Sequence, residues 1–239
     1  MIVVPPQIGH RGAAGLAPEN TLAALRAAAR AGAAMVEIDV RLSADGRPVL
    51  FHDDDLDRTT NGTGPVAALT RAALAMLDAG SWFGPAFAGE PIPTLEQALT
   101  LCLELGLAVN IEIKPAAGYE VETARVALSV AASLWPDDRP PPLVTSFSSE
   151  ALKTAREIVP DWSRGLLVGA VPSDWHAQTQ ELGCAVLVAD QAELDRSIIG
   201  AIGAAGMTLL VYTLNDRERM RMLWRDGIAA ICTDYPSSS

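Results

Sequence analysis

The sequence predicts an α/β protein of the (β/α)8 TIM-barrel class, and three observations lead to this prediction. Short β-branched or apolar runs alternate with Ala/Leu-rich helical stretches along the whole chain, which is typical of repeated βα units that build a parallel sheet. Eight strand candidates can be counted. The length of 239 residues is close to the roughly 250 residues that such a barrel needs. We therefore expect one domain over residues 1–239, with an insertion at about residues 54–91.

The predicted strands are short and mostly aliphatic, and the predicted helices lie between them. The strands are expected at residues 7–10, 35–40, 108–114, 143–147, 165–168, 185–189, 208–214 and 229–233. The helices are expected at residues 20–31, 94–105, 120–134, 149–158, 173–182, 194–205 and 216–225. The helix after Thr94 has the clearest start, because Thr94 and Gln97 have the spacing of a capping box.

Two segments interrupt the βα repeat. Asp45-Gly46 lies between two apolar runs and predicts a β-hairpin over residues 40–52. In this hairpin Asp39 and His52 would lie roughly opposite each other on the two strands, and the sequence leaves the register open. The segment after His52, residues 54–91, contains turn residues but no strong period. We expect this inserted segment to form a lid or side wall over the active face of the barrel.

Composition excludes several kinds of partner. The formal net charge of -11 repels nucleic acid and anionic lipid surfaces, so we expect neither nucleic-acid binding nor stable membrane association. Cys102, Cys184 and Cys232 are far apart and lack metal-ligand spacing, which predicts reduced core thiols. Residues 1–6 have no basic and apolar signal-peptide pattern, so a cytoplasmic protein is expected. The sequence leaves monomer and homodimer equally open.

Alternation along two strands places carboxylates on one face. Glu37 and Asp39 share a face of the strand at 35–40, and Glu112 and Lys114 share a face of the strand at 108–114. The opposite, aliphatic faces should meet the helices, so these polar side chains should point toward the barrel axis near its C-terminal mouth. Such close carboxylates favour a hard divalent cation, Mg²⁺ or Ca²⁺. The alternative is a Glu112–Lys114 ion pair within a structural polar layer, which leaves Glu37 and Asp39 without partners.

Two of the histidines end short apolar strands at the expected catalytic face. His10 and His52 can divide general-base and general-acid work there, whereas His176 lies in a polar helix and should be solvated. Arg11 and Lys114 supply positive charge for a phosphoryl oxygen. Three carboxylates, one divalent ion and two cationic side chains sum to about +1, which a monoanionic phosphodiester neutralises. The residues therefore predict a metal-dependent phosphodiesterase.

The order of these motifs resembles that of the glycerophosphodiester phosphodiesterases, and is most similar to their soluble bacterial cytosolic branch. The resemblance covers nearly the whole chain. It implies a (β/α)8 barrel with an insertion after His52, hydrolysis of glycerophosphodiesters to glycerol 3-phosphate and an alcohol, and one divalent ion. It also implies that His10 and His52 are the acid and base. The metal ligands that it implies are Glu37, Asp39 and Glu112. The matching segments are His10-Arg11-Gly12, Pro18-Glu19-Asn20-Thr21, Glu37-Ile38-Asp39-Val40, the Asp45-Gly46 turn with His52-Asp53, Asn110-Ile111-Glu112-Ile113-Lys114-Pro115, Ser146-Phe147, Val211-Tyr212-Thr213-Leu214-Asn215 and Cys232-Thr233-Asp234.

Aromatic residues are expected to form the apolar wall of the substrate pocket. The candidates are Phe147, Tyr212, and the pair Trp82 and Phe83 from the inserted segment. Packing within the lid explains Trp82 and Phe83 equally well. Tyr212 departs from the family pattern, in which many relatives carry Trp. Gly12 is expected to let the backbone pass close to a bound phosphate.

Several roles remain alternatives at this point. The hairpin favours His52 as base and His10 as acid, since it brings His52 near the metal ligands. The nucleophile can be water, or the neighbouring glycerol hydroxyl through a cyclic phosphate. Glu19 and Asn20 are expected to act as a loop and a helix cap.

Two other functions compete with this prediction. The first is a phospholipase D-like or lyase activity on choline lipids, which is disfavoured because relatives of that kind are secreted and disulfide-bonded. The second is a non-catalytic barrel that binds a phosphorylated metabolite or a protein. It predicts the loss of at least one histidine or metal ligand, whereas all five residues are present.

Overall fold

The computed structural model describes residues 4–237 and contains a closed barrel of eight parallel strands with helices between them. The strands are β1 Gln7–Gly9, β2 Met35–Leu42, β3 Pro48–Leu50, β4 Ala108–Ile113, β5 Leu143–Ser146, β6 Arg164–Val168, β7 Val186–Asp190, β8 Thr208–Tyr212 and β9 Ala230–Thr233. Strand β3 is the added hairpin strand, and the other eight form the barrel. The predicted fold class is therefore confirmed. Residues 1–3, which belong to the N-terminal segment considered above, lie outside the described part.

The helices agree with the sequence prediction to within two residues at each end. They are α1 Leu22–Arg30, α2 Arg71–Leu74, α3 Leu95–Leu105, α4 Glu120–Leu134, α5 Ser149–Ile158, α6 Trp175–Leu182, α7 Arg196–Ala204 and α8 Arg217–Asp226. Only the short helix α2, inside the inserted segment, was not predicted. The capping box of α3 is present, because the Thr94 hydroxyl accepts from Gln97 N and the Gln97 side chain accepts from Thr94 N. Within residues 4–237, none of the helices is long and apolar enough to cross a membrane.

Strand β1 closes the barrel because it pairs with both β2 and β9. The register between β2 and β4 runs from Met35 beside Ala108 to Val40 beside Ile113. This register places Asp39 directly beside Glu112. Two of the predicted metal ligands are thus neighbours across one strand pair at the C-terminal end of the barrel.

The two faces of β2 have opposite environments, as alternation predicts. Val36, Ile38 and Val40 are fully buried in the layer between the barrel and the helices. Inside the barrel, the lower part is filled by aliphatic side chains such as Ile8, Met35, Val186 and Leu210. The polar side chains of β2 lie above this apolar plug.

The cysteines behave as core residues. Cys102, Cys184 and Cys232 are buried and free. Burial raises the pKa of the Cys102 thiol to about 12, so this side chain is an unreactive thiol at neutral pH. The expectation that the three cysteines are core residues is confirmed.

The predicted hairpin is present, and its register, which the sequence left open, places His52 one residue from the position opposite Asp39. Val40 pairs with Leu50 and Arg41 with Val49, and Phe51 N donates to Asp39 O at 3.1 Å. Phe51, and not His52, therefore lies opposite Asp39. Phe51 and His52 follow the end of β3. Phe51 enters a small apolar core under the inserted segment, while His52 lines the cavity at the mouth of the barrel.

The inserted segment has its own packing. Leu56, Val66 and Leu74 are buried together with Phe51 in a cluster separate from the barrel cores. This cluster fixes the inserted segment against the hairpin, and Glu90 Oε1 accepts a hydrogen bond from Ala23 N at the start of α1. The segment is therefore tied to the barrel both through the hairpin and at the start of α1.

Candidate active site

The loop after β1 has a left-handed backbone at two successive residues. Arg11 has a φ of 49° and Gly12 a φ of 88°, and a non-glycine residue in this region costs energy that is often found at functional sites. The loop is held by Glu37, whose Oε2 accepts from Arg11 N at 2.9 Å and whose backbone oxygen accepts from Gly12 N at 3.1 Å. A Cβ on Gly12 would lie 2.8 Å from the backbone carbonyl carbon of Ala24 in α1. Gly12 is thus required by its own backbone and by helix packing, and its expected role beside a bound phosphate stays a prediction.

Glu37, Asp39 and Glu112 form a compact carboxylate cluster. Each offers one oxygen, and these three atoms lie within 4.8 Å of one another. All three residues are buried, and Glu37 Oε1 has no hydrogen-bond partner among residues 4–237. Carboxylate oxygens are the donors that Mg²⁺ and Ca²⁺ prefer. The residues present therefore fit a hard divalent cation.

The electrostatics of the cluster show the strain that such a cation relieves. Burial, together with the charges of Asp39 and Glu112, raises the pKa of Glu37 well above its ordinary value. Burial and Asp39 raise the pKa of Glu112 to about 7. Burial acts on Asp39 as well, but the positive charges of Arg11 and Lys114 outweigh it and lower the pKa of Asp39. The cluster by itself therefore holds protons on part of its carboxylates near neutral pH.

The structure supports only part of the alternative interpretation, in which Glu112 and Lys114 form a structural ion pair. Lys114 Nζ lies 2.6 Å from Glu112 Oε1 and 3.5 Å from Asp39 Oδ1, so the ion pair exists and Asp39 has partners. The pair does not reach Glu37, whose second oxygen lacks a partner in the described chain. A polar layer held by Lys114 alone therefore leaves one buried carboxylate oxygen unexplained.

Asn20 orients one of the carboxylates. Its Nδ2 donates to Asp39 Oδ2 at 2.7 Å, and its Oδ1 accepts from Asp39 N at 3.1 Å. The helix cap expected here is formed by Thr21 instead, whose hydroxyl accepts from Ala24 N. Glu19 also contacts the site, because its Oε1 accepts from Arg11 Nη1 at 2.5 Å. Glu19 and Asn20 therefore lie in the loop before α1 and support the mouth of the barrel, as expected, whereas the expectation that Asn20 is the helix cap is wrong.

Both histidines of the mouth are held in the same way. His10 Nδ1 lies 2.7 Å from Asp234 Oδ1, and the other oxygen of Asp234 accepts from Asn215 Nδ2 at 2.7 Å. His52 Nδ1 lies 2.6 Å from Asp53 Oδ1. An aspartate on Nδ1 fixes the tautomer of a neutral imidazole and leaves its Nε2 to act on a ligand.

The surroundings of the two histidines differ. Burial, with the positive charges of Arg11 and Lys114, lowers the pKa of His52, although Asp39 and the hydrogen bond to Asp53 act in the opposite direction. His52 is therefore favoured as a neutral imidazole. His10 Nε2 lies 3.2 Å from Arg11 Nε, which donates to it.

One cavity of about 250 Å³ brings the predicted site residues together. It is smaller than the roughly 300 to 1,000 Å³ of sites for drug-sized ligands, so it suits a small metabolite. Its lining includes His10, Arg11, Glu37, Asp39, His52, Glu112, Lys114, Phe147 and Tyr212.

The predicted aromatic wall is only half present in the cavity. Phe147 and Tyr212 line it and pack edge to face with ring centroids 6.2 Å apart. Trp82 and Phe83 are not among its lining residues. They pack edge to face against each other, and Trp82 Nε1 donates to Ala79 O within the inserted segment. The prediction that they form part of the substrate pocket is corrected to packing within the insertion.

Known proteins share this arrangement of fold and motifs. Residues 10–238 match the model of the glycerophosphoryl diester phosphodiesterase family. The chain belongs to this family. The resemblance found in the sequence and the expectation of an enzyme of this class are thereby confirmed.

Three similar proteins illustrate this relationship. The solved structure of an Oleispira antarctica phosphodiesterase in complex with the product sn-glycerol-3-phosphate has 43% identity and a TM-score of 0.95, covering 98% of this chain and 94% of its own. The glycerophosphodiester phosphodiesterase of Caldanaerobacter subterraneus is 32% identical, covering 97% of this chain and 94% of that protein. A solved glycerophosphodiester phosphodiesterase from Agrobacterium tumefaciens has 30% identity and a TM-score of 0.78, covering 98% of both chains.

The residues that support the site of this family member were not predicted from the sequence. Asn20, Glu19 and Asp234 stand in segments that match the family, so their positions were visible while their contacts were not. Asn215 holds Asp234 from a different loop, and neither strand alternation nor motif spacing identifies such a pair. These supporting residues become visible only when the loops are placed in space.

Proposed function

We propose that this protein hydrolyses glycerophosphodiesters to glycerol 3-phosphate and an alcohol, with one divalent cation bound by Glu37, Asp39 and Glu112. The observation that carries the proposal is the opening of this buried carboxylate cluster into the same cavity as His10 and His52. The similar Oleispira antarctica enzyme, solved in complex with sn-glycerol-3-phosphate, supports the same substrate class. We further propose that the chain acts as one domain with an insertion at about residues 54–91, and a cytoplasmic location stays a prediction.

The carboxylates would hold the cation, and their all-oxygen donor set suits both Mg²⁺ and Ca²⁺. A bound divalent ion supplies Lewis-acid polarisation of a phosphoryl oxygen. Arg11 and Lys114 line the same cavity and provide the positive charge that a phosphate and its transition state require. In this proposal these two side chains hold the non-bridging oxygens while the histidines move protons.

His52 is the general base and His10 the general acid in the mechanism that we propose. The lowered pKa of His52, caused first by burial, keeps its imidazole neutral, as a base must be. His52 Nε2 takes the proton of the attacking hydroxyl as the new bond to phosphorus forms. His10 must enter this step with a proton on Nε2, in place of the hydrogen bond that this nitrogen accepts from Arg11 Nε, and it gives that proton to the oxygen of the departing alcohol as its bond to phosphorus breaks. Asp53 and Asp234 keep the two rings oriented through Nδ1.

Release of glycerol 3-phosphate tests the proposal directly. The wild-type protein is incubated with glycerophosphocholine, glycerophosphoethanolamine and glycerophosphoglycerol, with Mg²⁺, with Ca²⁺ or with excess EDTA, and glycerol 3-phosphate is detected by a coupled enzyme. We expect turnover that EDTA abolishes. Substitution His10→Ala or His52→Ala should lower kcat by about 10²- to 10⁴-fold.

The third histidine of the chain provides a matched control. His176 lies exposed in α6, away from the cavity, so His176→Ala should retain wild-type turnover. Binding of glycerol 3-phosphate without turnover of any of the three diesters would support the non-catalytic barrel and refute the enzymatic proposal. Release of free choline together with phosphatidate from choline lipids, and no release of glycerol 3-phosphate, would support the phospholipase D-like activity.

A further inference from the structure

Arg58 of the inserted segment joins two carboxylates with all three of its guanidinium nitrogens. Its Nε donates to Asp53 Oδ2 at 2.6 Å and its Nη2 to Asp53 Oδ1 at 3.0 Å. Toward the other side, Nη1 donates to Glu19 Oε2 at 2.8 Å and Nη2 to Glu19 Oε1 at 2.7 Å. Arg58 therefore makes a two-point contact with each carboxylate, which fixes the angle as well as the distance.

Each of the two carboxylates contacts a residue of the cavity. Asp53 Oδ1 lies 2.6 Å from His52 Nδ1, and Glu19 Oε1 accepts from Arg11 Nη1 at 2.5 Å. A continuous chain of hydrogen bonds thus runs from His52 through Asp53, Arg58 and Glu19 to Arg11. The two end members line the cavity, and the three middle members are not among its lining residues.

The position of Arg58 is itself fixed by its neighbours. Leu56 is fully buried in the apolar cluster of the inserted segment, and Thr59 is buried on the other side. Thr60 N and Thr60 Oγ1 both donate to Leu56 O, which closes a tight turn around Arg58. The guanidinium therefore projects from a packed turn and not from a free loop end.

We propose that Arg58 is a positioning residue that holds His52 and Arg11 in their working orientations through Asp53 and Glu19. The inference rests on the proposed function, in which His52 moves a proton and Arg11 holds the phosphate. It makes the inserted segment a working part of the active site, although the aromatic residues of that segment lie outside the cavity.

Folding stability is not the main role of Arg58. Its side chain is 46% exposed, and ion pairs with a partner this exposed contribute little to stability. The Glu19 side chain is only 10% exposed and lies between two arginines. Removal of Arg58 should therefore change the orientation of Glu19 and Asp53 more than it changes the stability of the fold.

A charge-only role is the alternative to positioning, and Arg58→Lys separates the two. Lysine keeps the positive charge but cannot make two-point contacts with two carboxylates. If Arg58 acts only by offsetting the charges of Asp53 and Glu19, the lysine variant will behave like the wild type. If Arg58 acts by orienting them, the lysine variant will behave more like Arg58→Met.

Two measurements on the full chain test the proposal. The first is kcat and KM for a glycerophosphodiester with saturating Mg²⁺. We expect Arg58→Met to lower kcat/KM by about 30- to 100-fold, because kcat falls through His52 and KM rises through Arg11. Arg58→Lys should recover less than about threefold of this loss in kcat/KM. Arg58→Met should add little to the effect of Asp53→Asn on kcat, because both act on the same imidazole.

The second measurement is the ¹⁵N NMR tautomer of His52, which needs no substrate. The chain has three histidines, so His176→Ala and His10→Ala assign the signals. We expect one fixed Nδ1–H tautomer for wild-type His52 and a mixture of tautomers in Arg58→Met. Arg196→Met is the matched control, because Arg196 also contacts an aspartate, Asp226, at 3.2 Å but lies far along the chain on α7.

The outcomes separate the positioning role from the proposed function. The positioning role is overturned if Arg58→Met keeps the single wild-type tautomer of His52 and more than half of the wild-type kcat/KM. It is also overturned if Arg58→Lys has the full wild-type kcat/KM. If the wild type hydrolyses no glycerophosphodiester, the proposed function fails, and the tautomer result then decides whether Arg58 orients His52.

Discussion

Replacing Glu37 with Gln should change stability in opposite directions with and without a divalent cation. Without a cation, Glu37 is buried beside two other carboxylates, and its Oε1 has no hydrogen-bond partner within the described residues. A neutral amide of the same shape removes both the repulsion and the cost of keeping a proton on Glu37, whose pKa is raised by burial, and we take the two together as about 1 to 2 kcal/mol. For a chain of this size, 1 kcal/mol shifts Tm by roughly 2 to 4 °C. Glu37→Gln should therefore melt about 2 to 8 °C above the wild type in EDTA.

The order should reverse when the cation is present. At a cation concentration of about 1,000 times Kd, binding stabilises the wild type by about 4.1 kcal/mol. Glu37→Gln removes one ligand of the cation. This loss should weaken cation binding about 100-fold, at least as much as the loss of a residue that only contacts a ligand. At the same cation concentration, binding then stabilises the variant by only about 1.4 kcal/mol. The difference of about 2.7 kcal/mol exceeds the advantage of the variant in EDTA. The wild type should then be the more stable protein.

Thermal melts of both proteins in excess EDTA and in MgCl₂ check this reversal. Glu96→Gln is the control, because Glu96 in the first turn of α3 also has a buried carboxylate oxygen without a hydrogen-bond partner in the described chain but lies outside the cluster. Its Tm should shift equally in both conditions. The reasoning is refuted if Glu37→Gln melts below the wild type in EDTA, or if both proteins gain equally from Mg²⁺.

Three further perturbations have expected outcomes. The pKa of Glu112 in the folded protein is about 7, above its ordinary 4.5. The cation-free fold therefore loses stability as pH rises through this range, while cation binding becomes stronger. The gain in Tm from Mg²⁺ should grow from pH 5.5 to 8, and this growth should be smaller in Glu112→Gln. His10→Ala should regain activity on substrates with an acidic leaving group if His10 is the acid, whereas rescue of His52→Ala on those substrates would reverse the assignment. Arg164 is buried and donates to the carbonyls of Pro160, Trp162 and Gly183. Arg164→Ala should lower the free energy of unfolding by about 3 kcal/mol, which is roughly 6 to 12 °C in Tm, and leave kcat at 25 °C unchanged. An unchanged Tm would contradict this reasoning.

Strand patterns made the barrel and the carboxylate cluster predictable. Strand β2 is flanked by parallel strands and covered by helices on one side, so its aliphatic and polar residues alternate strictly. That alternation is enough to assign Glu37 and Asp39 to the inner face of the barrel. The pairing of Asp39 with Glu112 then follows from the register of two neighbouring strands.

Contacts between loops were not predictable in the same way. The pairs Glu19–Arg58 and Asn215–Asp234 join segments without a common period, and the first spans 39 positions. The register of the hairpin stayed open, because the Asp45-Gly46 turn fixes the location of a hairpin more firmly than its pairing. Trp82 and Phe83 were misplaced for a similar reason, since an irregular segment gives no face along which to assign their side chains.

The interruption of the βα repeat after β2 has a functional explanation. In a regular barrel the chain would leave β2 directly into a helix, and the loop above Asp39 would be short. The hairpin instead returns the chain to the mouth of the barrel at His52, and the inserted segment then supplies Arg58 to fix Asp53 behind the imidazole. His10 needs no insertion, because Asp234 follows β9 directly and β9 is the neighbour of β1. The two histidines therefore receive the same aspartate support by different routes, and only the route to His52 requires additional chain.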